Sequence, residues 1–206
     1  MKNYLIGISG GSGAGKTTIV KNLVNHYKNK ATTIELDSYY KDFSNLTFED
    51  REKINFDHPD SFSFNMLKNH INLLIKNEKI KSPIYDFKKH KRRKPSKIIY
   101  PNKLIFFEGT LIFYFKEIAN LMSLKIFIQA DEKVRFKRRL SRDIKHRGRT
   151  KDSIHEQYHK TVKPMFDKYV KPLKSEADLI ISGESNLIDN KNRIIDEIDF
   201  IIQGNR

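Results

Sequence analysis

Residues 10–17 read Gly10-Gly11-Ser12-Gly13-Ala14-Gly15-Lys16-Thr17, immediately after an apolar run at residues 4–8. No other stretch limits the fold of this chain so strongly. Glycines at this spacing let a turn between a buried strand and a helix fold its amides inward around a phosphate, and the helix N-terminus adds positive potential. The pattern G-x-x-x-x-G-K-[ST] also asks for a lysine that reaches the β and γ oxygens, here Lys16, and a hydroxyl for Mg²⁺, here Thr17. Thr18 continues the first helical turn, so residues 10–18 are the candidate site for a nucleoside triphosphate. Kinases, switch GTPases and motors share such a loop, and other residues have to decide among them.

The strand ahead of the loop has companions. Residues 32–36, 104–107, 124–128 and 178–181 are short apolar runs, the form taken by parallel strands buried on both faces. Ile19, Val20, Leu23, Val24 and Tyr27 fall on one helical face behind the loop, and Leu187, Ile188, Ile194, Ile195, Ile198 and Ile201 suit a closing helix. This alternation predicts an α/β fold, a doubly wound parallel sheet with helices on both faces, whose strand C-termini are the expected ligand site. From about residue 56 to 101 the rhythm breaks. There residues 66–76 read as a helix, and residues 80–87 and 98–100 as β segments around a basic, proline-containing turn. We expect one domain over residues 1–206, carrying this stretch as an inserted helix plus β-hairpin.

Composition narrows the partners. Forty Lys+Arg against 25 Asp+Glu give a net charge of +15, which favours an anionic partner. Hydrophobic residues at 38% and aromatics at 11% are too abundant for a disordered chain. The absence of cysteine removes a disulfide framework, thiolate metal sites and a Cys nucleophile, and fits a reducing compartment. The first nine residues lack the form of a secretory leader, and no apolar stretch nears the roughly 18–20 residues of a spanning helix. A cytoplasmic protein without membrane association is expected.

Two acids sit at predicted strand ends, Asp37 after residues 32–36 and Glu108 after residues 104–107. Near a phosphate loop such carboxylates hold Mg²⁺ or take the proton of an acceptor hydroxyl, and either residue suits either task. Arg135, Arg139, Arg142, His146 and Arg149 recur at helical spacing, with Phe136, Leu140 and Ile144 on another face. The pattern predicts that the apolar side packs on the protein while the cationic stripe faces outward or across the site. Gly148 offers a flexible point from which arginines close over a phosphoryl group and exclude water. Residues 131–160 therefore read as a basic, lid-like helical region.

Further blocks follow in one order: Asp37-Ser38-Tyr39-Tyr40-Lys41, Phe56-Asp57-His58-Pro59-Asp60-Ser61-Phe62, Pro83-Ile84-Tyr85-Asp86-Phe87 with His90, Glu108-Gly109, Arg142-Asp143-Ile144 with Arg147-Gly148-Arg149, and Gln157-Tyr158 with Thr161-Val162-Lys163-Pro164. Together with the loop they closely resemble the uridine/cytidine kinase family, P-loop NTPase-type kinases related to phosphoribulokinase, over nearly the whole chain. The resemblance implies transfer of a phosphoryl group from ATP or GTP to the 5′-hydroxyl of uridine or cytidine in pyrimidine salvage. It makes Asp37 the general base, places Lys16 and Arg149 at the phosphoryl group, and puts Thr17, Glu108 and Asp37 near Mg²⁺. Asp57 looks like the ribose ligand, and a carboxylate that accepts from both the 2′ and 3′ hydroxyls disfavours a deoxyribose. Tyr85 and His90 resemble the base-reading residues, since an imidazole meets a 4-oxo or a 4-amino edge according to its tautomer. On its own, His90 inside the Lys/Arg-rich residues 88–94 reads as a solvated hairpin tip. Phe56 accompanies Asp57, and Tyr40 is either core packing or a substrate wall. Arg139, Arg149 and Gln157 match positions that contact nucleoside or phosphate, and a homotetramer is implied.

Two positions depart from the family pattern. Ser63 stands where a second acid is usual, which removes a helix-cap or salt-bridge partner although serine itself caps well. Thr110 stands where isoleucine is usual. Two other readings stay open. One is a phosphoribulokinase- or pantothenate-kinase-like enzyme acting on another hydroxyl, against which the Phe56–Pro59 block and the Tyr85/His90 pair argue. The other is a nucleic-acid-associated P-loop NTPase, motivated by the basic tracts and predicting strongly salt-dependent binding.

Overall fold

A computed structural model describes residues 2–204. Met1, where the leader reading begins, and the last two positions of the expected 1–206 domain lie outside the described residues. In chain order the elements begin with β1 (Tyr4–Gly10), α1 (Lys16–Tyr27) and β2 (Ala31–Glu35), followed by a 3₁₀ turn at Leu36–Tyr39. Then come α2 (Phe48–Glu52), α3 (Phe64–Ile75), β3 (Ile80–Ser82), β4 (Tyr85–Asp86), β5 (Lys91–Arg92) and β6 (Lys97–Ile99). The chain continues through β7 (Leu104–Glu108), α4 (Lys116–Ala119), β8 (Leu124–Gln129), α5 (Glu132–Arg147) and α6 (Lys151–Gln157). A π-helical stretch at Tyr158–Val162, α7 (Lys163–Met165) and a second π-helical stretch at Phe166–Val170 prolong α6, before β9 (Leu179–Ser182) and α8 (Leu187–Ile202).

Five strands form one parallel sheet in the order β2-β7-β1-β8-β9. Each strand sends alternate side chains to opposite faces, as the two-residue period requires. Tyr4, Ile6 and Ile8 of β1 join Phe106, Ile126 and Ile128 beneath Ile19 and Leu23 of α1 and Ile194 and Ile198 of α8. Leu5, Ile105, Phe107 and Phe127 face the other way and pack with Leu67, Ile71 and Leu74 of α3. Both faces are thus covered, and the C-terminal strand ends gather at one edge, where β1 leads into the phosphate loop.

Element boundaries differ from the sequence reading in physically informative ways. Glu108 is the last residue of β7 instead of following it, in register with Ile8 of β1 and Glu35 of β2. Asp178 precedes β9, and its carboxylate accepts from the Lys125 amide at 2.7 Å. The β segment expected at residues 80–87 is two strands, because Pro83 lacks the amide a ladder needs. β3 pairs with β6 and β4 with β5, both antiparallel. Leu187 and Ile188 do not belong to the buried face of α8; Ile188 is 62% exposed. Ser63 occupies the N-cap position of α3, yet its hydroxyl caps nothing and instead accepts from Arg92 Nη2 at 2.8 Å.

The core rests on large side chains at the centre of the sheet. Phe106 is fully buried between β1 and α1 neighbours, so Phe106→Ala is expected to destabilise the protein by about 3–5 kcal/mol. Urea unfolding checks this through a lower midpoint at unchanged slope.

Candidate active site

The loop after β1 adopts backbone that glycine alone takes easily. Gly10 and Gly13 have φ of +144° and +81°, and a Cβ on Gly13 would lie 2.3 Å from the Arg135 carbonyl oxygen. Lys16, at the start of α1, is buried and donates from Nζ to the Gly10 and Gly11 carbonyls at 2.9 and 3.1 Å. Burial pulls its pKa below the usual lysine value, against the opposing influence of Glu108 and Asp37. Thr17 Oγ1 donates to Glu108 Oε1 at 2.6 Å. Burial pushes the Glu108 carboxyl up, while Lys16 and the Thr17 hydroxyl favour its charged form. Lys16, Thr17, Glu108, Asp37 and Glu35 line one pocket.

These oxygens suit Mg²⁺, which takes hard donors and keeps several positions for water and substrate phosphates. Among the described residues, no group of three or more His, Cys, Asp or Glu forms a metal cage.

A second cavity adjoins the first and is lined by Tyr40, Phe56, Asp57, Tyr85, His90, Arg139, Arg149 and Gln157. Asp37, in the 3₁₀ turn after β2, lines both cavities, as do Ser12, Arg142 and Arg147. Tyr40 is at once packing and wall, for it stacks on Phe62 at 4.5 Å and faces Tyr85 at 5.0 Å. His90 (φ +47°) lies flat on Phe56, centroids 5.1 Å apart, and is no solvated tip. Burial, with Arg149 and Arg147 nearby, lowers its pKa to about 4, so the ring is neutral at physiological pH. Burial pushes the Asp57 carboxyl up, opposed by Arg139 and by Thr161, whose Oγ1 donates to Asp57 Oδ2 at 3.3 Å.

The basic helix turns its cationic stripe toward the cavities, one of the two directions its pattern allowed, while Phe136 of the apolar side packs against Tyr158. On α5 the buried residues are Arg135, Arg139 and Asp143, whereas Ile144 is 45% exposed and His146 is exposed. Arg139 donates from Nη1 to Ser12 Oγ at 3.1 Å and from Nη2 to Gln157 Oε1 at 2.9 Å. Arg149, beyond the Gly148 cap (φ +68°), also donates to Gln157 Oε1. Burial alone would raise the Asp143 carboxyl, yet Arg139, Arg142 and Arg147 bring it below the usual carboxylate range.

Several contributors escaped the sequence reading. His58 accepts the Asp60 amide at Nδ1 and pairs through Nε2 with Tyr169 Oη at 3.0 Å, tying the segment after Asp57 to the helix that carries Gln157. Arg92 grips the Tyr40 and Tyr39 carbonyls at 2.8 and 3.3 Å. A third groove, lined by Gly15, Thr18, Arg138, Gly183, Glu184 and Asn190, lies on the other side of the phosphate loop. Gly15 and Thr18 belong to the predicted phosphate loop and His58 to the Phe56–Phe62 block, whereas Arg92 lay in the basic tract 88–94 and carried no signal of its own.

A phosphate loop opening onto two adjoining cavities, one where Lys16 meets three carboxylates and one walled by aromatic rings and arginines, defines a P-loop phosphotransferase. The model of the phosphoribulokinase/uridine kinase family matches residues 5–188, and the chain belongs to that family. It is 46% identical over 182 residues to a uridine kinase of Clostridium novyi, covering 88% of each chain. It is 43% identical over 189 residues to a uridine kinase of Listeria monocytogenes, covering 90% of each. In fold it is similar to a D-glycerate 3-kinase from Cryptococcus neoformans (TM-score 0.64, 14% identity, 90% and 88% covered). Phosphoribulokinase from Rhodobacter spheroides is also similar (TM-score 0.59, 16% identity, 88% and 70% covered).

The low His90 pKa has a sign that stability measurements read. Between the ordinary 6.5 and about 4 the unfolded chain binds a proton that the folded one refuses, so stability falls as pH drops through this window. His90→Gln is expected to flatten that part of the stability–pH curve, measured by urea unfolding from pH 7 to pH 4.

Proposed function

We propose that this protein transfers the γ-phosphoryl group of ATP to the 5′-hydroxyl of uridine, and of cytidine in the same pocket, giving UMP or CMP. One observation carries the reading: Asp37 lines both the aromatic cavity and the phosphate-loop pocket, where an acceptor hydroxyl and a terminal phosphate meet. The uridine kinases of C. novyi and L. monocytogenes support the choice of acceptor.

The chain's residues then divide the work. Tyr40, Phe56, Tyr85 and neutral His90 receive the pyrimidine, and His90 accepts or donates by tautomer, which admits both bases. Asp57, oriented by Thr161, accepts from the ribose 2′ and 3′ hydroxyls, and a 2′-deoxyribose leaves one acceptor position unpaired. The amides of residues 10–17 and Lys16 hold the donor phosphates, with the donor base, adenine or guanine, in the groove beside Arg138 and Glu184. Asp37 takes the 5′-hydroxyl proton as that oxygen bonds to the γ-phosphorus and the bond to the β,γ-bridging oxygen breaks, releasing ADP. Arg139, Arg142 and Arg149 face the charge on the transferring group, and residues 131–160 serve as the lid that excludes water. Mg²⁺, held by Thr17 and Glu108 with Asp37 alongside, neutralises phosphate charge when bound. The family resemblance favours a cytoplasmic homotetramer.

Turnover with Mg-ATP and a panel of uridine, cytidine, 2′-deoxycytidine, adenosine and pantothenate tests the reading by formation of the phosphate ester. Product from adenosine or pantothenate, with none from uridine or cytidine, overturns it. Asp37→Asn is expected to keep ATP binding while kcat drops by about two to four orders of magnitude. Asp57→Asn is expected to shrink the preference for uridine over 2′-deoxyuridine by about tenfold or more, read as the ratio of kcat/KM values.

A further inference from the structure

One acid lies among the arginines without lining either cavity. Asp143 is 0% exposed. Its Oδ1 meets Nε of Arg142 at 2.8 Å and Nε of Arg147 at 3.5 Å, and its Oδ2 meets Nε of Arg139 at 3.3 Å. In all three contacts the carboxylate faces the inner, Nε edge of the guanidinium. The terminal nitrogens stay directed toward the site: Arg139 Nη1 and Arg142 Nη2 both donate to Ser12 Oγ of the phosphate loop, at 3.1 and 3.4 Å. The Asp143 carbonyl oxygen also accepts from the Gly148 and Arg149 amides, which sets where the chain turns toward Arg149.

Three guanidiniums at this spacing repel one another, and a low-dielectric surrounding strengthens the repulsion. An anion among them reverses its sign, and burial of that anion is offset by three guanidiniums within 3.5 Å, of which Arg142 donates a hydrogen bond from Nε to Oδ1 at 2.8 Å. The forked shape of arginine lets one edge be held while the other works, which an ammonium cannot do.

We propose that Asp143 is a positioning residue for phosphoryl transfer: its carboxylate holds Arg139, Arg142 and Arg147 by their Nε edges, so that their terminal nitrogens are preorganised on the transferring phosphate. This rests on the kinase reading above. Cations fixed where charge develops act on the transition state more than on binding, so the effect falls chiefly on kcat.

Asp143→Ala leaves a carboxylate-sized hole facing three guanidiniums. With uridine and Mg-ATP its kcat is expected to fall about 10² -fold, and millimolar formate, but not formamide, is expected to restore a substantial part of it at unchanged Tm. A folded variant that keeps wild-type kcat, or whose loss formate does not relieve, overturns the proposal. Should that variant not fold, Arg142→Lys serves instead, since the Arg142 side chain is 37% exposed and its charge is retained. One ammonium cannot serve Asp143 and Ser12 together, so kcat is expected to drop about tenfold with the uridine KM within about threefold. Wild-type kcat in Arg142→Lys overturns the proposal. A wild-type protein inactive on uridine and cytidine overturns the kinase reading and this inference with it, whereas an active wild type with indifferent variants overturns this inference alone.

Discussion

The phosphate loop lies so close to the backbone around it that side chains have no room. A Cβ on Gly10 would stand 2.4 Å from the Ile128 carbonyl oxygen, and one on Gly13 would stand 2.3 Å from that of Arg135. The loop is therefore locked against the end of β8 and the first turn of α5. The cationic face of α5 inherits its position from that contact. Arg135, Arg139 and Asp143 lie on the face of α5 that this approach turns inward. The parallel sheet supplies the other half of the constraint, because the register of β1, β2 and β7 brings Glu35, Glu108 and the turn of Asp37 level with the loop.

The aromatic cavity is joined to this frame from two directions. Thr161 and Tyr169, on the helical segment after α5, reach Asp57 and His58. Thr161 lies in one π-helical stretch and Tyr169 in the other. Such widened turns recur at functional sites because they re-aim side chains that an α-helical repeat would point elsewhere. The basic helical region and the loop that carries Asp57 are therefore mechanically continuous.

Much of this was legible in the residues, and the reasons for success and failure are local. Buried parallel strands are apolar on both faces, so the runs around Ile6, Phe106 and Ile126 announced themselves, and the glycine spacing fixed the loop. The basic helix was legible in part, because amphipathic patterning separates the two faces but does not choose whether the cationic one meets water or the site. Here the arginines face an acid, a hydroxyl and an amide carbonyl, and Ile144 of the apolar stripe is left outside. Ser63 suggested a cap, yet Arg92, distant in sequence, competes for its hydroxyl. The role of Asp143 and the groove beside Gly183 depend on side chains far apart in the chain, which no local pattern contains.

Pro83 divides what would have been a single hairpin, leaving Tyr85 on a two-residue ladder of its own and His90 in the turn that joins its strands. That small hairpin is not moored to the large sheet. It hangs instead from Arg92, whose guanidinium holds the carbonyls of Tyr39 and Tyr40, two and three residues beyond Asp37. The aromatic wall of the cavity and the turn that presents Asp37 thus share one short lever. Remodelling this hairpin shifts that turn with it, so wall and acid are not free to move separately in this protein.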